Sequence, residues 1–191
     1  MKTFRVKIQG TTPFLMHRFG EAAEQGGASR RVKVCETVDP REEARKVAYI
    51  ADDGSYYFNA FAIPGALGSV GSNHKMKGSR KTLRFIVPSA VRMVSDTVTL
   101  LDSRTGKPVA NFEVDSRPVT IPATKGRIMR HRPRFNTWAA EFDLMVNDTL
   151  LDPDKVHELL NEAGVQIGIG DFRPEKRGPF GCFLVKAWEP L

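Results

Sequence analysis

Cysteine is scarce in this chain. Cys35 and Cys182 are the only two among 191 residues; they lie far apart, with no C-x-x-C spacing and no histidine close in sequence. That pattern argues against a disulfide framework and against a structural zinc site. Two unpaired thiols fit a reducing compartment. Long apolar runs are missing too: none approaches the ~18 residues needed to span a bilayer. The opening Met1-Lys-Thr-Phe-Arg-Val6 alternates like a strand and lacks the apolar region of a secretory leader. We therefore expect a cytoplasmic protein with no membrane partner. The phosphate-loop pattern G-x-x-x-x-G-K-[ST], the nucleophile elbow G-x-S-x-G and the zinc-protease H-E-x-x-H are all absent. No cofactor and no metal is implied. At 41% hydrophobic and 27% charged residues the composition is ordinary for a globular protein, and the length suits one domain carrying a sizeable insertion.

Acidic residues are lacking locally, and this says more. None occurs between Asp53 and Asp96, where Lys75, Lys77, Arg80, Lys81, Arg84 and Arg92 fall. None occurs between Asp115 and Glu141, where Arg117, Lys125, Arg127, Arg130, Arg132 and Arg134 fall. Acids gather instead at 36–53 and 141–162. The net charge is +7 and the isoelectric point about 9.6. Positive charge segregated in this way favours a polyanion such as nucleic acid. An anionic membrane would call for a long amphipathic helix, which neither basic block forms. The plain alternative is a generally basic protein.

Residues 3–9 alternate Phe4, Val6, Ile8 against Arg5, Lys7, Gln9 and predict a half-buried strand. Phe14–Phe19 surrounds His17 and Arg18 with apolar residues, and the glycines of 20–38 predict a mobile loop. Asp39-Pro40 opens a helix whose Ala44, Val47, Ala48 and Ala51 form one face. Asp52-Asp-Gly54 reads as a turn closing that helix rather than as a metal pair, and a short strand follows at Tyr56–Phe58. A helix with glycines at 65, 68 and 71 is expected from Pro64, suited to close approach by something else. Leu83–Met93 reads as a strand interrupted at Pro88, Val98–Val109 as a strand and turn, and 110–122 as a further strand with Pro118 near an edge. In an extended Arg127–Phe135, Ile128, Arg130, Arg132 and Arg134 share a face that is hard to bury and easily laid against phosphates. Trp138–Val146 is a strong strand. Asp152-Pro153 caps a helix with a Leu151, Val156, Leu159, Leu160, Ala163 stripe, ended by Gly164, and the last strand is Phe180–Trp188.

Between that helix and the last strand lies Gly168-Ile-Gly-Asp-Phe-Arg-Pro-Glu-Lys-Arg-Gly-Pro-Phe-Gly181. Its glycines allow positive φ and close approach of main-chain amides to a ligand. Arg173, Lys176 and Arg177 add positive charge where such amides would point. The combination suits a phosphate; the alternative is a glycine-rich turn with a solvated basic tip. Phe172 is open to stacking on a base or to packing, whereas Phe180, at a strand start, is expected to pack.

A strand, then Phe61-Ala-Ile-Pro-Gly65 opening a small-residue helix that runs into basic residues, then strand, helix, glycine-rich basic loop and strand: this order resembles the RAMP superfamily of CRISPR-associated proteins. The nearest branch is the backbone subunit that polymerises along guide RNA in multi-subunit effector complexes. The resemblance implies an α+β, ferredoxin-like (RRM-like) core at about 3–10, 61–92 and 138–188 within a single domain spanning 1–191. Insertions would occupy about 11–58 and 93–137, the second a thumb-like β-hairpin. It implies that Gly168, Gly170, Gly178 and Gly181 grip a nucleic-acid backbone, with Arg173, Lys176 and Arg177 beside them. Arg127, Arg130, Arg132 and Arg134 would line the thumb, and Arg18, Lys75, Lys77, Arg80 and Lys81 would extend the contact. The loop is longer and poorer in glycine than many members carry, which also fits a phage or mobile-element relative.

The expected function is sequence-tolerant binding of single-stranded RNA, with copies of the chain and other effector subunits as partners and no catalytic residues. The same residues would serve a single-stranded DNA binding or annealing protein equally well. A metal-independent RNA-processing endonuclease would need an acid–base group, for which His17 is the leading candidate, with His74 and His131 behind it.

Overall fold

The computed structural model describes residues 1–18, 39–120 and 125–191; the loop expected over 20–38 lies outside them. The N-terminal alternation becomes strand β1, Lys2–Gly10, with Phe4, Val6 and Ile8 turned inward. The short strand β2, Phe14–Leu15, follows. Helix α1, Pro40–Lys46, starts as read: the Asp39 carboxylate accepts from the Arg41 amide at 3.0 Å, and Pro40 supplies the first turn. It stops at Lys46 rather than near Ala51, because residues 49–57 fold back on themselves, with the Tyr57 amide donating to the Tyr49 carbonyl. Asp52–Gly54 lies in that reversal, where Gly54 takes φ +83° and the Asp53 carboxylate accepts from Ser55.

Strand β3, Tyr57–Asn59, leads into α2, Ala62–Gly71. The segment 83–93 differs from expectation. It is a 3-10 turn at Leu83–Phe85, a short helix α3 at Val87–Ala90 and a strand β4 of only Val91–Met93. Pro88 does not interrupt a strand; it sits in the first turn of α3, where its missing N–H costs nothing. Strands β5 (Thr97–Thr99), β6 (Glu113–Thr120), β7 (Arg127–Phe135) and β8 (Ala139–Val146) come next. Helix α4, Pro153–Gln166, is capped by Asp152, whose carboxylate accepts from the Asp154 amide. Strand β9, Phe183–Pro190, ends the chain.

The main sheet has the order β4-β8-β1-β9, entirely antiparallel. With α2 between β1 and β4, and α4 between β8 and β9, this is the ferredoxin-like arrangement. Both helices pack on one face, over Val6, Ile8, Ala140, Leu144, Leu67, Val70, Leu159 and Leu160, each fully buried. Truncating such a leucine to alanine costs about 2–5 kcal/mol. Gly164 does not end α4, contrary to the sequence reading. It lies inside the helix where a Cβ would sit 2.2 Å from the Phe183 carbonyl, so its smallness lets α4 close on β9. Gly168, at φ +70°, ends the helix instead, its N–H reaching back to the Ala163 carbonyl.

The opposite face of this sheet carries Arg5, Lys7, Glu141 and Asp143, with Arg5 bridging both Asp143 oxygens at 3.0 and 3.1 Å. It offers charges, not the stacked aromatics of an RRM sheet. A second sheet, β2-β7-β6, is the β6–β7 hairpin joined to the residues just past β1; Pro118 lies on its edge strand. Among the described residues, no helix is long and apolar enough to cross a membrane.

Candidate nucleic-acid interface

The glycine loop is a tightly bonded knot. Gly168, Gly170 and Gly181 take φ of +70°, +85° and +75°. A Cβ on Gly181 would lie 1.7 Å from the Ile169 carbonyl oxygen, and one on Gly178 would lie 1.8 Å from that of Phe172. These glycines are therefore required by the loop's own closure. Their amides are largely spent there: Gly168 donates to Ala163, Gly178 to Arg173 and Gly181 to Pro13. The expectation that they reach out to phosphates is corrected for these three, because an N–H holding an internal carbonyl is not free for a ligand. The Gly170 amide alone of the four has no acceptor among the described residues.

The basic residues divide into two groups. Arg173 is bound inside the loop, donating to the Gly170 carbonyl at 3.1 Å and pairing with Glu175. Glu175 also accepts from Ser69 of α2 at 2.8 Å. That hydrogen bond holds its carboxyl below the usual range, with burial opposing and the charge of Arg173 assisting. Lys176 and Arg177, at the loop tip, are exposed and form no ion pair within 4 Å among the described residues, with Arg177 at φ +62°.

The hairpin divides in the same way. Its register sets Glu113, Asp115 and Arg117 opposite Arg134, Arg132 and Arg130. Arg132 is 7% exposed, against the expectation of an open arginine face. It donates to Asp171 at 2.6 Å and lies 3.7 Å from the buried Asp115. Two carboxylates make its burial tolerable, since an unpaired interior charge would cost several kcal/mol. Asp115 also accepts from Arg117, whose guanidinium lies over the Phe180 ring at 4.8 Å and the Phe172 ring at 5.9 Å. Phe180, 3% exposed, packs as expected. Arg134 is half-buried at the hairpin base, lining a hollow of about 690 Å³ with Arg104 and Lys107. Arg127 and Arg130, farther out, are exposed and have no side-chain partner among the described residues. Behind the hairpin, α1 approaches with Glu43 at 4.0 Å from His131, and Ser116 bonds the other nitrogen of that ring.

Lys75, Lys77, Arg80 and Lys81 occupy a loop after α2, closed by the Met76 amide on the Lys81 carbonyl; all four are exposed, with no side-chain partner among the described residues. His74, at its base, is instead bonded to Glu162 at 2.6 Å. Arg18, also exposed, follows β2 and has no side-chain partner among the described residues.

Between the start of α2 and the glycine loop opens a cleft of about 530 Å³. Phe14, Tyr49, Phe58 and Phe61 provide aromatic walls, and His17, Asn59, Ser69, Asp171, Arg173 and Glu175 the polar lining. His17 Nδ1 lies 3.5 Å from Asp171. Burial alone would raise the Asp171 carboxyl, but hydrogen bonds from His17 and Arg132 and their charges hold it down at about 2. Asp171, Glu175, Asp115 and Phe61 were not singled out from sequence. Phe61 stood in plain view beside Pro64-Gly65, while the acids gave no signal apart from interrupting basic stretches.

No family model matches the sequence, and no curated protein matches it. Solved structures do. One is a chain of the Type III-B Cmr-beta complex bound to cognate target RNA, at TM-score 0.56 and 11% identity, covering 100% of this chain and 60% of that one. Another is Cmr6 from Pyrococcus furiosus, at TM-score 0.49 and 10% identity, covering 95% and 97%. This chain thus spans about 60% of the length of the first of these. At such identities the likeness is one of fold alone: the chain shares an α+β fold, here with ferredoxin-like strand order, with the chain of the RNA-bound Cmr-beta complex.

Proposed function

We propose that the protein binds single-stranded RNA through its backbone, largely without regard to sequence, as a subunit of a CRISPR-type effector complex, and that copies line up along a guide RNA. The observation that carries this reading is the division among the basic residues. Arg132 and Arg173 are consumed in building the loop and hairpin, whereas Arg18, Lys75, Lys77, Arg80, Lys81, Arg127, Arg130, Lys176 and Arg177 face solvent and form no ion pair within 4 Å among the described residues. Exposed cations left unpaired on several elements suit a chain of phosphates better than one small anion. The fold likeness to a chain of an assembly bound to RNA adds support.

The test is the nucleic acid that co-purifies with the protein, followed by titration with matched single-stranded RNA and DNA across a salt series. A discrete guide-length RNA and an affinity falling steeply with salt are expected. Tighter binding to DNA would favour the strand-protecting alternative, and salt-insensitive binding would overturn both.

The contact between His17 and Asp171 favours one further reading, RNA cleavage, because a carboxylate that fixes an imidazole ring is how an acid–base histidine is oriented. Cleavage of a bound RNA, lost in His17→Ala with binding retained, would establish it.

A further inference from the structure

The cleft beside the glycine loop differs chemically from the surfaces around it. Its carboxylates are matched by cations, Asp171 by Arg132 and Glu175 by Arg173. The surplus positive charge lies outside, on Arg18, Lys176 and Arg177. With Arg132 and Arg173 already spent on these carboxylates, the lining offers no surplus cation to hold a phosphate. The volume of about 530 Å³ falls within the range of small-ligand pockets, roughly 300–1,000 Å³.

What the cleft does offer is flat apolar surface with hydrogen-bonding groups at its edges. Phe61 stands at the edge of the cleft with 63% of its surface exposed, so its ring is open to a flat ligand. One turn along α2, a Cβ on Gly65 would meet nothing within 4 Å, so the space beside Phe61 stays open. Among the described residues the Gly170 amide has no acceptor, and the Asn59 side chain, which accepts from the Phe61 amide through its oxygen, has no partner for its nitrogen. His17 faces Asp171 through Nδ1, and its Nε2 has no partner among the described residues.

We infer that this cleft is a subsite for one unstacked nucleobase, which stacks on Phe61 while the phosphates pass outside over Arg18, Lys176 and Arg177. The inference rests on the RNA-binding reading above and assigns to it a second kind of contact: uncharged, aromatic and inside the cleft. Base stacking on an aromatic side chain tolerates any sequence, because every base has a π-face.

The experiment compares affinity at fixed salt for an oligouridylate of about ten nucleotides and for an abasic ribose-phosphate chain of the same length. The wild-type protein should hold the uridine oligomer about tenfold tighter or more. Phe61→Ala, at an exposed position, and Gly65→Leu, which fills the cleft from a helical site with room for it, should each bring that ratio to within about twofold. Neither should change affinity for the abasic chain. If both variants keep the wild-type ratio, or the wild type shows no preference for bases, the subsite falls and backbone binding stands. If neither ligand binds, the RNA-binding reading falls with it.

Discussion

Arg132 Nη1 donates to Asp171 Oδ2 at 2.6 Å, fastening the β6–β7 hairpin to the glycine loop across 39 residues of sequence. Asp115, 6% exposed, stands on the other side of the same guanidinium. The loop and hairpin thus share one buried charge, so neither is positioned independently of the other.

Asp171→Asn should therefore act on stability first. It leaves Arg132 buried with Asp115 as its sole counter-charge, and breaking such a pair costs several kcal/mol, here about 2–3 because Asp171 is partly exposed. A urea titration should show the midpoint drop with the slope unchanged.

The same carboxylate predicts an acid limb. Its folded value of about 2 lies below the reference of 3.8, so the folded state binds fewer protons in that window. The stabilisation from Asp171 is complete above pH 3.8 and is lost as pH falls through about 2. Urea midpoints of wild type and Asp171→Asn should differ at neutral pH and converge as pH falls to about 2.

Two glycines should respond in opposite ways to alanine. At Gly181, φ +75° and a Cβ 1.7 Å from a carbonyl oxygen leave no room, so Gly181→Ala should unfold the loop or the protein. At Gly65, exposed on α2 with open space, alanine should stabilise by about 0.5–1 kcal/mol. Thermal melts of the pair provide the check.

The cations should separate by role. Removing Lys176 and Arg177 should weaken RNA binding and lower the slope of log K against log salt by about 0.7 for each lost phosphate contact, without changing the melting temperature. Arg173→Ala should lower the melting temperature as well, because it removes hydrogen bonds to Gly170 and Glu175.

Where local chemistry decides, the sequence was legible. Asp39-Pro40 and Asp152-Pro153 cap helices as read, β1 and β8 follow their alternation, and the order of motifs points to the strand order found. Leu83–Met93 was misread because an apolar run has no period of its own, and packing against α2 decided between turn and strand. Arg132 was misread for a different reason. Only the approach of Asp115 and Asp171 makes its burial possible, and no spacing along the chain announces an ion pair closed by folding.

Strand β2 has a role larger than its two residues. Phe14 pairs with Phe135 of β7 and also walls the cleft, while the Leu15 and Pro13 carbonyls accept from the Asp171 and Gly181 amides of the loop. One short piece of backbone is at once hairpin strand, cleft wall and loop anchor. The angle of the hairpin and the width of the cleft therefore form a single degree of freedom: whatever tilts one resets the other.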